Sequence, residues 1–143
     1  MMTGEARGIE SIEIGQTVRV SKTVGESDVY LFAGITGDLH GNHVNEEYMK
    51  TTPYGRRIAH GALMVGYMSA ASTKLLESVS SPCVSYGYDK IRFIKPVFIG
   101  DTITVEYRVV ERNAEKQQTL ANVTITNQRG EVVTAATHIL KFL

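Results

Sequence analysis

Asp38 and His43 stand five residues apart in the polar, glycine-flanked run Thr36-Gly37-Asp38-Leu39-His40-Gly41-Asn42-His43, and His60-Gly61 follows at the head of an apolar stretch. A carboxylate and an imidazole so close can pass a proton between them or to a bound reactant. A helix starting at Gly61 would aim its first, internally unused N–H groups and the positive end of its dipole at the same place. One element then moves a proton and the other stabilises an oxyanion, which is the chemistry of a carbon next to a carbonyl.

Positioning those groups requires a frame, and its elements can be read along the chain. Thr17 to Val24 alternates Val18 and Val20 with polar neighbours, as a half-buried strand does. Ser27 is the expected cap of a short helix that runs through Ile35 and stops at Gly37. Asn45, followed by Glu46 and Glu47, predicts a second short helix that Pro53 and Gly55 interrupt. The main helix is expected from about Gly61 to Glu77, with apolar residues over so much of its circumference that it must be largely buried.

Beyond it the period changes to two. Ile103, Val105, Tyr107 and Val109 alternate with Thr104, Glu106 and Arg108, and Ala121, Val123 and Ile125 alternate with Asn122 and Thr124. These read as antiparallel strands with one wet face. Val84 to Ile94 and Val132 to Phe142 supply two more, and 113–116 and 127–130 supply tight connections. The expected class is α+β, an antiparallel curled sheet around a long central helix.

The bulk composition narrows the functions. With 143 residues, 43% of them apolar, the chain suits a single domain over 1–143 and is short for two. Fifteen basic and 15 acidic residues cancel, so no global field recruits nucleic acid or an anionic membrane. Cys83 stands alone, which excludes an internal disulfide and a cysteine-rich metal site and points to a reducing, cytoplasmic setting. Scattered charges near the start do not form a secretory leader. The apolar run from Ala62 to Ala71 is about half the ~20 residues a membrane span needs.

Several separated segments, in order and at matching spacing, resemble the MaoC-like dehydratases and (R)-specific enoyl-CoA hydratases. That family's signature has an aromatic-Ala pair, a small residue and Gly before Asp, then any residue, Asn, Pro, any residue and His, with Ile-x-His-Gly further on. Phe32-Ala33, Thr36-Gly37-Asp38, His43 and Ile58-Ala59-His60-Gly61 occupy those places, and Lys95-Pro96-Val97-Phe98-Ile99-Gly100-Asp101 is similar to the family's strand-to-strand turn. His40 and Gly41 replace the Asn and Pro. Gly41 is expected to loosen the loop, and His40 to put a larger, titratable group in it.

The resemblance implies a hot dog fold and reversible hydration of an enoyl thioester. It makes Asp38 and His43 the catalytic pair that holds water, gives the Gly61 N–H to the thioester oxygen, and sets Ser69 near the pocket. The implied substrate is an acyl-CoA or carrier-protein thioester, with coenzyme A part of the substrate and no separate cofactor. His40, His60, Arg56 and Arg57 are candidate substrate contacts, and Lys90, Arg92 and Lys95 are further cations for the CoA phosphates. A homodimer or larger assembly is expected, without nucleic acid or membrane.

Each residue also has a structural reading. Asp38 could close an Asx turn, His60 could fix the entry to the helix, and Ser69 could be a small core residue. Asp38, His40, His43 and His60 could instead hold a metal, although no metal is expected because their spacing is not that of a helical zinc pair. A hot dog thioesterase and a non-catalytic acyl-thioester-binding subunit are the alternative functions.

Overall fold

A computed structural model of the chain describes residues 7–143. Five strands, β1 (Thr17–Thr23), β2 (Cys83–Phe93), β3 (Thr102–Asn113), β4 (Gln118–Thr126) and β5 (Val132–Phe142), form one antiparallel sheet in the order β1-β3-β4-β5-β2. Four helices, α1 (Glu26–Thr36), α2 (Gly41–Val44), α3 (Glu46–Lys50) and α4 (Gly61–Leu75), lie between β1 and β2 in sequence. The long helix α4 packs over the β1, β3 and β4 side of the sheet, the hot dog arrangement.

Strict alternation builds the core. Ile103, Val105, Tyr107 and Val109 on β3 and Ala121, Val123 and Ile125 on β4 are fully buried, facing Met64, Met68, Ala71 and Leu75 of α4. Each large apolar side chain removed from water contributes about 1.5–3 kcal/mol before chain entropy is charged against it. The opposite face carries Glu106, which pairs with Arg19 of the neighbouring strand at 2.9 Å.

Three local expectations change. Helix α1 is capped by Gly25 rather than Ser27: the Gly25 N–H donates to the Asp28 carboxylate at 2.8 Å, so the acid three residues on closes the turn. The main helix ends at Leu75 and passes into a 3-10 turn over Leu76–Ser78, short of Glu77 as an α-helical residue. Its burial is one-sided, because Ala62, Gly66, Ser69, Ala70 and Thr73 are exposed on the chain taken alone. Hydrophobicity counted round a helix does not distinguish a core face from a stripe of small residues awaiting a neighbour.

Asn45 caps α3 as expected, its side chain accepting the Tyr48 N–H at 3.0 Å. Asn127 organises the β4–β5 turn by accepting the N–H groups of Arg129 and Glu131 at 2.9 and 3.1 Å. No helix among the described residues is long and apolar enough to cross a membrane.

Candidate active site

The polar run of the sequence becomes a turn and a short helix. Gly37 ends α1 in the left-handed conformation, φ 81°, with its N–H on the Ala33 carbonyl at 2.9 Å, a geometry that favours glycine. Asp38 follows, exposed, its N–H donating to Thr36 Oγ1 at 3.2 Å. His40 then caps α2, its Nδ1 accepting the Asn42 N–H at 3.1 Å, so only Nε2 is left to meet a ligand.

Gly41 does not act by loosening the loop. A Cβ there would come within 2.9 Å of the Tyr48 ring, so glycine lets α2 lie close against α3. His43 accordingly stands on a one-turn helix, where the sequence led to a loop. A turn this short has too few residues for a periodic pattern to reveal it.

His43 is buried, and its Nδ1 lies 2.7 Å from the Ile58 carbonyl oxygen. A carbonyl only accepts, so Nδ1 carries the proton and the neutral ring keeps a bare lone pair on Nε2. Burial holds the His43 pKa below the ordinary histidine value of 6.5; the Ile58 bond opposes this, His60 adds to it, Asp38 opposes it and His40 adds to it.

His60, fully buried at the N-terminus of α4, donates from Nε2 to the Asp38 carbonyl at 2.9 Å by the same reasoning. Its ring stacks on His43 with centroids 3.7 Å apart and planes 24° apart, and it is tilted against Phe32 at 4.7 Å. Ligand-bearing atoms of Asp38, His43 and His60 lie within 4.8 Å of one another. A carboxylate and two imidazoles so placed could exchange a proton or ligate an ion.

A cavity of about 300 Å3 opens beside the cluster. His43, Gly61, Ala62 and Met64 form one wall, and Tyr54, Phe93, Lys95 and Thr134 lie among the rest. A Cβ on Gly61 would meet the Phe93 ring at 2.8 Å, so glycine there keeps the first turn of α4 close to the opposite wall. Its N–H belongs to the first turn of α4, whose donors have no partner inside the helix. Asp38 and His60 stand next to the cavity without lining it.

The MaoC-like domain model matches residues 10–132. The chain belongs to the MaoC-like domain family. Among its curated relatives, an (R)-specific enoyl-CoA hydratase of Rhodospirillum rubrum is 40% identical over 82% of this chain and 79% of its own length. A 3-hydroxybutyryl-CoA dehydratase of Methylorubrum extorquens is 37% identical over 76% of this chain and 68% of its own. The solved (R)-hydratase of A. caviae involved in PHA biosynthesis superposes with a TM-score of 0.85 at 28% identity, covering 94% of this chain and 99% of that one.

Within this MaoC-like chain the other expected residues are dispersed. The Arg56 guanidinium lies over the Phe98 ring at 4.0 Å, exposed and close in sequence to the Tyr54 wall. Arg57 is committed elsewhere: it holds Glu26 at 2.7 Å, Glu46 at 2.6 Å and the Tyr30 hydroxyl at 2.9 Å, tying α1 to α3. That ion-pair hub, not substrate contact, is the role its geometry gives it. Ser69 lies about 12 Å along α4 from Gly61, on the open stripe and outside the cavity lining.

Lys95 lines the cavity and pairs with Glu131. Tyr54, Phe93 and Thr134 also line it, and sequence reasoning missed all three. Phe93 and Thr134 are register partners across β2 and β5, a relation that only strand pairing creates.

Proposed function

We propose that this MaoC-like protein reversibly hydrates a trans-2-enoyl-CoA to an (R)-3-hydroxyacyl-CoA. The observation that carries this is the bare Nε2 lone pair that neutral His43 must keep, on a ring that lines the cavity beside Gly61 at the head of α4, with the Asp38 carboxylate nearby. The names of its relatives support the reaction and its stereochemistry.

In hydration, Asp38 takes one proton from water while the water oxygen bonds C3 of the enoyl group. His43 orients the water and, through its bare Nε2, shares in returning to C2 the proton that Asp38 took, so one proton leaves water and one reaches carbon. Charge building on the thioester oxygen meets the Gly61 N–H, and one such donor contributes about 3–4 kcal/mol to barrier lowering. The dehydration direction reverses each transfer. Coenzyme A arrives as part of the substrate, so the reaction needs no separate cofactor, and Arg56 and Lys95 are the cations best placed for its phosphates. The free Cys83 fits a cytoplasmic setting.

The same reading includes a homodimer. Edge strand β2 exposes Val84, Tyr86 and Phe93, and the small-residue stripe of α4 is open, so apolar surface and unpaired backbone lie together. Sedimentation should find a dimer at micromolar concentration, and a lone monomer would contradict it.

The decisive assay follows enoyl absorbance and free thiol together over short, medium, branched and dicarboxylic enoyl-CoA substrates. Reversible absorbance loss with an (R)-3-hydroxy product is expected. Thiol release without hydration would establish a thioesterase instead, and tight binding without turnover on any substrate a binding subunit.

A further inference from the structure

His60 touches each part of the proposed machinery and lines none of the cavity. Its Nε2–H holds the Asp38 carbonyl at 2.9 Å, its face lies on His43 at 3.7 Å, and its own peptide leads into Gly61. Its Nδ1 is buried without a hydrogen-bond partner among the described residues. An orphaned buried acceptor costs about 1–3 kcal/mol, and purely structural histidines are normally satisfied at both nitrogens.

We infer that His60 is a positioning residue for the reaction, a flat plate that fixes the Asp38 backbone and the His43 ring relative to the tip of α4 while leaving substrate contact to others. The inference rests on the hydratase reading and extends it. Only one hydrogen bond, from Nε2, fixes the Asp38 turn to α4 through this ring, and only a flat ring can stack on His43 without offering a competing donor to its reactive nitrogen. The unfilled Nδ1 follows from that arrangement, since a donor supplied to it would sit beside the reacting pair.

The other ionisable groups near the pair are Asp38 and His40 from the preceding turn and Lys95 across the cavity; Phe32, on the α1 side, carries no charge. None of them donates to His60 Nδ1, which has no partner among the described residues.

The test compares His60→Gln, whose amide nitrogen can replace Nε2 toward Asp38, with His60→Asn, whose shorter amide cannot reach. His60→Asn should lower kcat roughly tenfold or more with KM nearly unchanged, and His60→Gln should recover most of it, as expected for lost orientation rather than lost binding. Wild-type turnover in both variants, a Gln variant no better than the Asn one, or an effect confined to KM would overturn the assignment.

If the variants do not fold, nitrogen-15 NMR of the wild-type protein decides alone. The Nε2–H tautomer of His60 is required, and the Nδ1–H tautomer refutes the proposal. Absence of wild-type turnover on every enoyl-CoA would sink the hydratase reading instead, and leaves the His60 tautomer measurable.

Discussion

Two buried histidine clusters occupy this small protein, and they are satisfied in opposite ways. Under the sheet's inner face, His138 of β5 has both ring nitrogens in use, Nδ1 with the Tyr107 hydroxyl at 2.7 Å and Nε2 with Ser85 Oγ at 2.7 Å, and it stacks on Tyr88 at 4.3 Å. At the tip of α4, His43 and His60 stack on each other, and each uses one nitrogen on a backbone carbonyl. All three rings are buried. The first is closed, and its bonds hold β3, β5 and β2 together. The second leaves His60 Nδ1 without a partner among the described residues and sets His43 in the cavity lining. Burial of a histidine therefore says little by itself; the count of unfilled nitrogens separates scaffold from chemistry.

Substitutions at the open cluster should break activity and spare the fold. Asp38→Asn and His43→Ala are each expected to lower kcat for enoyl-CoA hydration by about 10²–10⁴, the range of a lost general acid or base. Asp38→Asn should leave thermal stability almost unchanged, since the carboxylate is exposed. Steady-state kinetics beside a melting curve measures both; near wild-type turnover in Asp38→Asn would remove the distinction between the clusters.

The closed cluster should show itself in stability alone. Burial depresses the His138 pKa to about 4, so between about 6.5 and 4 the unfolded chain binds the proton and the folded one does not. Stability is therefore complete above pH 6.5, falls as pH drops through this window, and levels off below 4, by up to about 3 kcal/mol in total. Urea unfolding of the wild type and His138→Gln across that range tests the sign, since the variant should lack this component. Equal slopes in the two proteins would mean that another group carries the dependence.

A smaller effect sharpens the contrast further. Ser85→Ala removes the partner of His138 Nε2 at the exposed edge of the sheet, where water can replace it, and should cost about 1 kcal/mol with no change in kcat. A large kinetic effect from that substitution would link the two clusters, which the structure keeps on different elements.

The sequence contained most of the frame. Alternation from Ile103 to Val109 and from Ala121 to Ile125 places side chains on fixed faces whatever the fold, because strand geometry has a period of two. Gly37 and Asn45 could be read for a similar reason, since a left-handed turn and a helix cap each require particular residue types. Asp38, His43 and Gly61 stood out as residues capable of proton transfer and oxyanion binding.

What the chain alone could not determine was how these parts face one another. The cap at Gly25 depends on a carboxylate three residues on, and the role of Gly41 depends on the ring of Tyr48. Arg57 was legible as a cation, yet only the approach of Glu26 and Glu46 from two helices made it an ion-pair hub. The cavity wall from Phe93 and Thr134 exists through strand register, and the His43–His60 stack through the docking of α2 against the tip of α4. Residue type and spacing set what each group can do, because those are local properties of the covalent chain. Which nitrogen is filled and which is left bare was decided by tertiary packing, because hydrogen-bond partners come from segments far apart in sequence.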